Sequence, residues 1–135
     1  MAHPLRKPSR DLPLPSAAEV DILAVLWRLG RGTVRDVHEA LGKGRGYTTT
    51  LKQMQLMTEK GLLSRREQDR SHVYDAAVPK ELTQRQIAAD VVRRAFGGSA
   101  KSLVLGALSA QPASAGDLQA IRRLLDGLEK AKGRP

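Results

Sequence analysis

The segment from Val20 to Leu29 is apolar on almost every side, and it restricts the fold more than any other feature of the chain. Ser16 and Glu19 before it have the spacing of a capping box, and the glycines at 30 and 32 end it, so a short helix is predicted. A helix this apolar must be covered on more than one side. Because aromatic residues make up only 3% of the chain, that cover must be aliphatic.

The charge of the chain indicates the class of its partner. Its 135 residues include 23 Lys and Arg against 14 Asp and Glu, a net charge of +9. This excess favours nucleic acid or an acidic membrane surface, although a merely solvated basic surface gives the same count. The absence of Cys excludes disulfides and thiolate metal sites and fits a cytoplasmic location. No apolar run reaches the roughly 18 to 20 residues of a membrane span, so no membrane partner is predicted.

A second short helix is predicted after the first. Thr33 is placed to cap a helix whose apolar residues recur at helical spacing up to Leu41. His38 lies on the apolar face of that helix and is interpreted as a packed neutral histidine rather than a metal ligand. Neither His3 nor His72 lies at ligand spacing from it, so no metal and no cofactor are predicted.

The third helix, Tyr47 to Gly61, has two chemically different sides. Steps of 100° place Tyr47, Thr50, Leu51, Met54, Met57, Thr58 and Gly61 on one side, and Thr48, Thr49, Lys52, Gln55, Leu56 and Glu59 mostly on the other. Thr48 is also placed to cap the first turn. A short polar face of this kind can enter the DNA major groove, where Thr, Gln and Lys contact base edges or phosphates.

Leu63–Gln68 and Ser71–Ala76 flank Asp69-Arg70 and predict a two-stranded hairpin. This order of elements, a helix, a turn, a second helix and a basic hairpin, is typical of a winged helix-turn-helix domain. The domain is assigned to residues 15–78. From Lys43 to His72 there are seven Lys and Arg against three Asp and Glu, a net charge of +4. A small packed domain with solvated charges is the alternative. The residues predicted to bind DNA are Tyr47, Thr48, Thr49, Lys52, Gln55, Arg65, Arg66, Arg70 and His72.

Residues 79–131 predict three short helices, Thr83–Phe96, Ser99–Leu108 and a last helix capped by Ser114. A region of this size cannot bury their apolar stripes alone. A second copy would cover them and match the symmetry of a palindromic operator, whereas folding back onto the first domain is the alternative. The predicted dimer contacts are Ile87, Val91, Leu103, Leu105, Leu108, Ile121, Leu124, Leu125 and Leu128. The fold class is therefore mostly α with a small β-hairpin, between a disordered arm at 1–14 and a disordered tail at 132–135.

The chain resembles the penicillinase repressor family (BlaI/MecI/CopY-like transcriptional regulators) in LPSAAEVDILAVLWRLGRGTVRDVHEAL, GYTTTLKQMQLMTEKGLL, RSHVYDA and AFGGSAKSLVL. The resemblance runs from about residue 14 to 128 and implies a winged-helix domain followed by a three-helix dimerisation region. It implies that Thr48 and Thr49 begin the recognition helix and that Lys52 lies on its next outward turn. Arg70, His72 and Tyr74 would belong to the wing. Family members repress operons for β-lactam resistance, copper homeostasis or related stress, often beside a membrane metalloprotease sensor.

Three departures from the family pattern concern DNA contact and induction. Leu56 stands where many members have Arg, which removes a phosphate contact. The β-lactam-responsive members carry an Asn-Phe cleavage bond after Lys-Ser-Leu, whereas here 101–105 continues into Gly106-Ala107. The copper-responsive members end in Cys-x-Cys, and this chain has no Cys. Neither known signal is supported, so the inducer, the operator and the regulated genes stay open.

These features predict a homodimeric, sequence-specific DNA-binding repressor of a resistance or stress operon, acting on a palindromic operator in double-stranded DNA. The alternative is a winged-helix module for protein contacts or for non-specific DNA packaging. An enzyme is not predicted, because the sequence has no nucleophile elbow, phosphate-binding loop or metal-ligand spacing.

Overall fold

The computed structural model describes residues 14–42 and 44–133. Most of the predicted arm and the last two residues of the predicted tail lie outside this range. The elements in chain order are α1 (Ala17–Leu29), α2 (Val34–Leu41), α3 (Tyr47–Glu59), β1 (Leu63–Gln68), β2 (Ser71–Ala76), α4 (Lys80–Ala95), α5 (Ala100–Ala110) and α6 (Ala115–Lys132). This confirms the predicted fold class, mostly α with one small hairpin. The helix α6 includes Lys132, the first residue of the predicted tail.

The described residues form two compact units, divided between Asp90 and Val91. Their division lies inside α4, after the predicted domain boundary at Pro79. Val78 and Thr83 are both buried, and the Trp27 Nε1–H donates a hydrogen bond to the Val78 carbonyl at 3.3 Å. The chain just after the hairpin therefore remains packed within the first unit. The predicted boundary at Pro79 states where the first domain ends as an independently folding unit, and it stays a prediction.

Capping boxes begin three of the helices. In α1, the Ser16 hydroxyl accepts a hydrogen bond from the Glu19 amide at 3.2 Å, and a Glu19 carboxylate oxygen accepts one from the Ser16 amide at 2.9 Å. Thr33 with Asp36 caps α2 in the same way, as Ser114 with Asp117 caps α6. The predicted helix starts are confirmed at all three places. Such boxes satisfy amides that otherwise have no partner within the helix.

The start of α3 differs from the prediction. Its N-cap is Gly46, without a side-chain hydrogen bond, and the Gly46 carbonyl accepts bonds from the Thr49 and Thr50 amides at 3.1 and 3.3 Å. Thr48 is already inside the helix, so the prediction that it caps is wrong. The end of α3 was predicted correctly at Gly61, which has φ +86.

The core of the first unit is aliphatic except for one tyrosine. The helix α1 contacts α2, α3 and β2, as its apolar sequence required. The buried apolar residues are Ile22, Leu23, Val25, Leu26, Val34, Val37, Met54, Met57, Leu62, Leu63, Tyr74 and Val78.

The hairpin pairs antiparallel from Leu63–Ala76 to Gln68–Ser71, with the predicted strand ends. Asp69 and Arg70 have φ 51 and 66, which are the values that a two-residue type I′ turn requires. Tyr74 also pairs with Gly32, with N···O distances of 3.0 and 2.8 Å, a contact that the sequence did not indicate. The Tyr74 side chain is only 1% exposed. Tyr74 lies in the second strand of the wing, as the resemblance implied, and its buried side chain anchors the wing to the core.

In the second part of the chain, two helix ends differ from prediction. The helix α4 begins at Lys80 rather than Thr83, because the Pro79 carbonyl already accepts the Thr83 amide at 3.0 Å. The helix α5 follows its predicted Ser99 cap, which accepts from the Ser102 amide at 3.0 Å, and continues to Ala110.

An ion pair joins the start of α1 to the end of α3. Lys60 Nζ lies 2.6 Å from a Glu19 carboxylate oxygen, and the side chains are 53% and 8% exposed, respectively. Burial alone raises the pKa of Glu19, but hydrogen bonds from Lys60 and Ser16 together with the Lys60 charge outweigh it, and the pKa lies below the ordinary 4.5.

We expect this pair to make stability depend on pH on the acid side. Because the folded pKa of Glu19 is lower than the unfolded value, the stabilisation is complete above pH 4.5 and is lost as pH falls through the folded pKa. Lys60→Met should lower the free energy of unfolding at neutral pH by about 1 kcal/mol and make its further loss in acid shallower. Urea denaturation across this pH range measures both effects, with Lys52→Met, at an exposed lysine of α3, as the control. Parallel pH profiles for wild type and Lys60→Met would contradict the prediction.

Candidate nucleic-acid interface

The helix α3 presents one polar face to solvent and packs the opposite face into the core. Thr50, Met54 and Met57 are buried, which fixes the rotation of the helix about its axis. The predicted outward residues Thr48, Thr49, Lys52 and Gln55 are all exposed. Leu56 is 49% exposed beside them, so the outward face carries one apolar side chain.

The first turn of α3 is tied to α2 by aromatic and polar contacts. Tyr47 was placed on the inward side from sequence, yet it is 42% exposed, because it is the first helical residue and lies at the edge of the packed surface. The His38 ring meets the Tyr47 ring edge-on, with centroids 5.6 Å apart and an interplanar angle of 79°. His38 Nδ1 also lies 3.2 Å from the Thr50 hydroxyl. These contacts agree with the interpretation of His38 as a packed residue.

The wing residues Arg65, Arg66, Arg70 and His72 are all exposed, but they do not share one surface. Arg65 pairs with Tyr74 and Arg66 with Val73 in the strand register. Since successive residues of a strand point to opposite faces, Arg65 lies on the face of Tyr74 and His72, and Arg66 lies on the other. Arg70 is at the tip, in the turn. The four predicted wing contacts are therefore divided between two faces and a tip.

A groove of about 370 Å³ lies between α2, α3 and the second strand of the wing. It brings together Tyr47 and Gln55 of α3 with His72 of the wing, which were predicted from two separate parts of the sequence. Its lining residues are Thr33, Val34, Arg35, Tyr47, Leu51, Gln55, Ser71, His72 and Tyr74.

Arg35 and Ser71 line this groove but were not among the predicted site residues. The Arg35 guanidinium carbon lies 5.7 Å from the centre of the Tyr47 ring, within the range of a cation–π contact. The sequence contains one signal that could have indicated Arg35. A cation in the first turn of a helix is unfavourable because it lies at the positive end of the helix dipole, so its presence there suggests a role other than stabilising the helix. Ser71 carries no such signal.

The described residues give no indication of a metal site, because no three or more of their His, Cys, Asp and Glu side chains are grouped to hold an ion. Among the helices within residues 14–42 and 44–133, none is long and apolar enough to cross a membrane. Among the described residues, the surface of α3, the groove and the wing bring together cationic, hydroxyl and amide side chains from several elements.

Comparison with known proteins agrees with this geometry. A family model described as "Penicillinase repressor" matches residues 15–127, which covers both compact units and most of the 135 residues. No curated protein matches the chain. The family match confirms the resemblance found in the sequence.

Proposed function

The chain belongs to the penicillinase repressor family of DNA-binding transcriptional repressors, and on this basis we propose that it acts in the cytoplasm as a homodimer on a palindromic operator. The proposal rests mainly on one observation. The polar face of α3 is exposed beside a groove and an arginine-bearing wing, while its opposite face is fixed in the core. The regulated operon is proposed to be one for resistance or stress, as in other family members.

The side chains of α3 have the chemistry that the major groove requires. Gln55 can pair with an adenine edge, Lys52 with guanine or phosphate, and the methyl group and hydroxyl of Thr49 with thymine or phosphate. His72 borders the same groove as Gln55, which supports simultaneous contact by α3 and the wing. The rigid backing by Met54 and Met57 supports readout of base edges, since a recognition helix must keep a fixed rotation to select them.

Large apolar side chains of the second unit support dimerisation. Leu105, Leu124 and Leu128 are 57%, 60% and 58% exposed in the single chain, and several further leucines of α5 and α6 are exposed beside them. Exposed apolar patches of this kind mark interaction surfaces. A second copy with a self-complementary face would cover them and hold two winged helices at symmetric half-sites.

The route of induction is proposed to differ from cleavage at an Asn-Phe bond. Gly106 and Ala107 lie inside α5 and offer neither residue of that bond. Release would then come from cleavage at another bond, from a ligand or from a protein partner. A membrane metalloprotease sensor is one such partner, and a gene for one beside the repressor gene would support it.

Protection of an inverted repeat tests the proposal directly. Footprinting of the DNA upstream of the repressor's own gene should show two symmetric protected half-sites. Competition with random duplex should give a specificity ratio of on the order of 10³ or more. A module for protein contacts or non-specific packaging would leave no discrete protected repeat, and this result would overturn the proposal.

We expect Arg70 at the wing tip to make a phosphate contact at a cost in folding stability. Arg70 has φ 66, a left-handed conformation that is strained for an arginine but not for glycine. Arg70→Gly should therefore raise the free energy of unfolding by roughly 0.5 to 1 kcal/mol. It should also reduce the slope of log affinity against log salt by about 0.9, because one phosphate contact is lost.

Arg70→Ala is the matched control, because it removes the same charge and keeps the strained conformation. It should lower the salt slope equally without the gain in stability, as measured by denaturation and by DNA titration at several salt concentrations. A wild-type salt slope in both variants would remove the wing tip from the interface.

A further inference from the structure

Arg35 occupies a position that local helix energetics disfavours. It is the second residue of α2, which begins at Val34 after the Thr33 cap. The partial positive charge at a helix N-terminus attracts anions and repels cations. Within residues 14–42 and 44–133, no carboxylate forms an ion pair with Arg35. Its charge is therefore not placed there to stabilise α2.

A chain of contacts that ends in the core holds the Arg35 side chain. The guanidinium lies over the Tyr47 ring at 5.7 Å, and the His38 ring packs nearly perpendicular to the Tyr47 ring, with centroids 5.6 Å apart. His38 in turn lies 3.2 Å from the hydroxyl of Thr50, which is fully buried. Stacking on an aromatic face leaves the edge of a guanidinium open, and the edge carries the N–H groups that bind phosphate in pairs.

The location of Arg35 links it to the residues proposed to bind DNA. It lines the same groove as Gln55 and His72, one from the recognition helix and one from the wing. A cation that stands at this groove with open N–H groups matches the phosphate backbone next to the bases that α3 would read. The opposite arrangement, with Tyr47 reading a base, is disfavoured because Arg35 and His38 already pack against its ring.

We propose that Arg35 binds a backbone phosphate of DNA, and that Tyr47 is a positioning residue that holds the guanidinium rather than a residue that reads a base. This inference rests on the proposed function. It adds a contact from α2 to those from α3 and the wing, and it changes the role of Tyr47 from base contact to support.

The salt dependence of binding to a random-sequence DNA duplex tests the phosphate contact. Arg35→Ala should lower the slope of log affinity against log salt by about 0.9 and weaken binding roughly tenfold at 0.1 M salt. The loss should be the same on a protected operator, because a phosphate contact carries no sequence information. Arg28→Ala removes the same charge from an exposed residue outside the groove and should leave the slope unchanged. A wild-type slope for Arg35→Ala would overturn the proposal.

Variants of Tyr47 test its positioning role. Tyr47→Phe keeps the ring and should keep the wild-type slope, whereas Tyr47→Ala should lower it nearly as much as Arg35→Ala. The double variant should show no further decrease, because both changes remove the same contact. Unfolding midpoints confirm that each variant is folded. A wild-type slope for Tyr47→Ala, or a lowered slope for Tyr47→Phe, would overturn the role given to Tyr47.

These results separate the inference from the function on which it rests. A protein that protects an operator but keeps its slope in Arg35→Ala retains the proposed function and loses this inference. A protein without a protected operator whose slope falls in Arg35→Ala loses the operator proposal and keeps the phosphate contact. A wild-type protein that binds no duplex overturns both.

Discussion

Leu128→Glu is expected to make the chain monomeric, by disrupting the proposed dimer, and to weaken operator binding by on the order of 10² to 10⁴-fold. Leu128 is 58% exposed in the single chain, so a carboxylate there remains hydrated in the monomer and costs little. In the proposed dimer the same carboxylate would lose its water without gaining a partner. Two winged helices joined in one dimer make the second half-site contact intramolecular, and a monomer loses that advantage.

Gln119→Glu is the control for the charge itself. Gln119 is an exposed residue of α6, and at 100° per residue it lies on the side of the helix opposite Leu128. The Gln119→Glu variant should stay dimeric and bind the operator as the wild type does. Sedimentation measures the oligomeric state and titration of the protected operator measures the affinity. A dimeric Leu128→Glu protein would place the interface elsewhere, including the alternative in which this segment folds back on its own chain.

Thr49→Ala and Thr50→Ala are expected to impair different properties although the residues are adjacent. Thr49→Ala should weaken operator binding, and Thr50→Ala should lower folding stability. Thr49 is exposed on the outward face, so its loss should weaken operator binding by about 1 to 3 kcal/mol. Its stability should be unchanged or slightly higher, because Ala favours a helix more than Thr does. Thr50 is fully buried and lies 3.2 Å from His38 Nδ1, so its loss should lower the free energy of unfolding by roughly 1 to 3 kcal/mol.

Denaturation curves and operator titrations on both variants provide the measurement, each variant serving as the control for the other. At a temperature where Thr50→Ala is fully folded, its affinity should lie much closer to wild type than that of Thr49→Ala. Normal operator binding by Thr49→Ala would mean that α3 does not present this face to DNA.

The sequence anticipated features whose causes are local. The capping boxes at Ser16 and Thr33 depend on residues three apart, and the hairpin turn at Asp69-Arg70 depends on two residues between alternating strands. Burial of Met54 and Met57 follows from helical spacing. Each of these was predicted at its observed position, because sequence neighbours supply the groups that satisfy one another. Thr48 was wrongly predicted as a cap, because the choice between adjacent start positions depends on where the preceding chain enters the helix.

The groove joins residues that are distant in the sequence, so local residue patterns did not predict it. Gln55 and His72 were predicted to bind DNA for separate reasons, and only the fold brings them to the same surface. The arginines 65 and 66 were treated as one basic cluster, while the pairing of the hairpin directs them to opposite faces. Arg35 was not predicted to bind DNA, since its significance comes from a contact with Tyr47, which lies in the next helix.

The sequence by itself determined the helices, the hairpin, the outward polar face of α3 and the family, because these depend on periodicity, caps and recurring residue types. Only the tertiary structure decided that Tyr74 anchors the wing to Gly32, that Lys60 neutralises a buried Glu19, and that Tyr47 supports Arg35. Each of these joins residues that are distant in sequence. Such contacts form when the elements pack around α1, and their energies depend on burial and relative orientation, which a linear pattern does not encode.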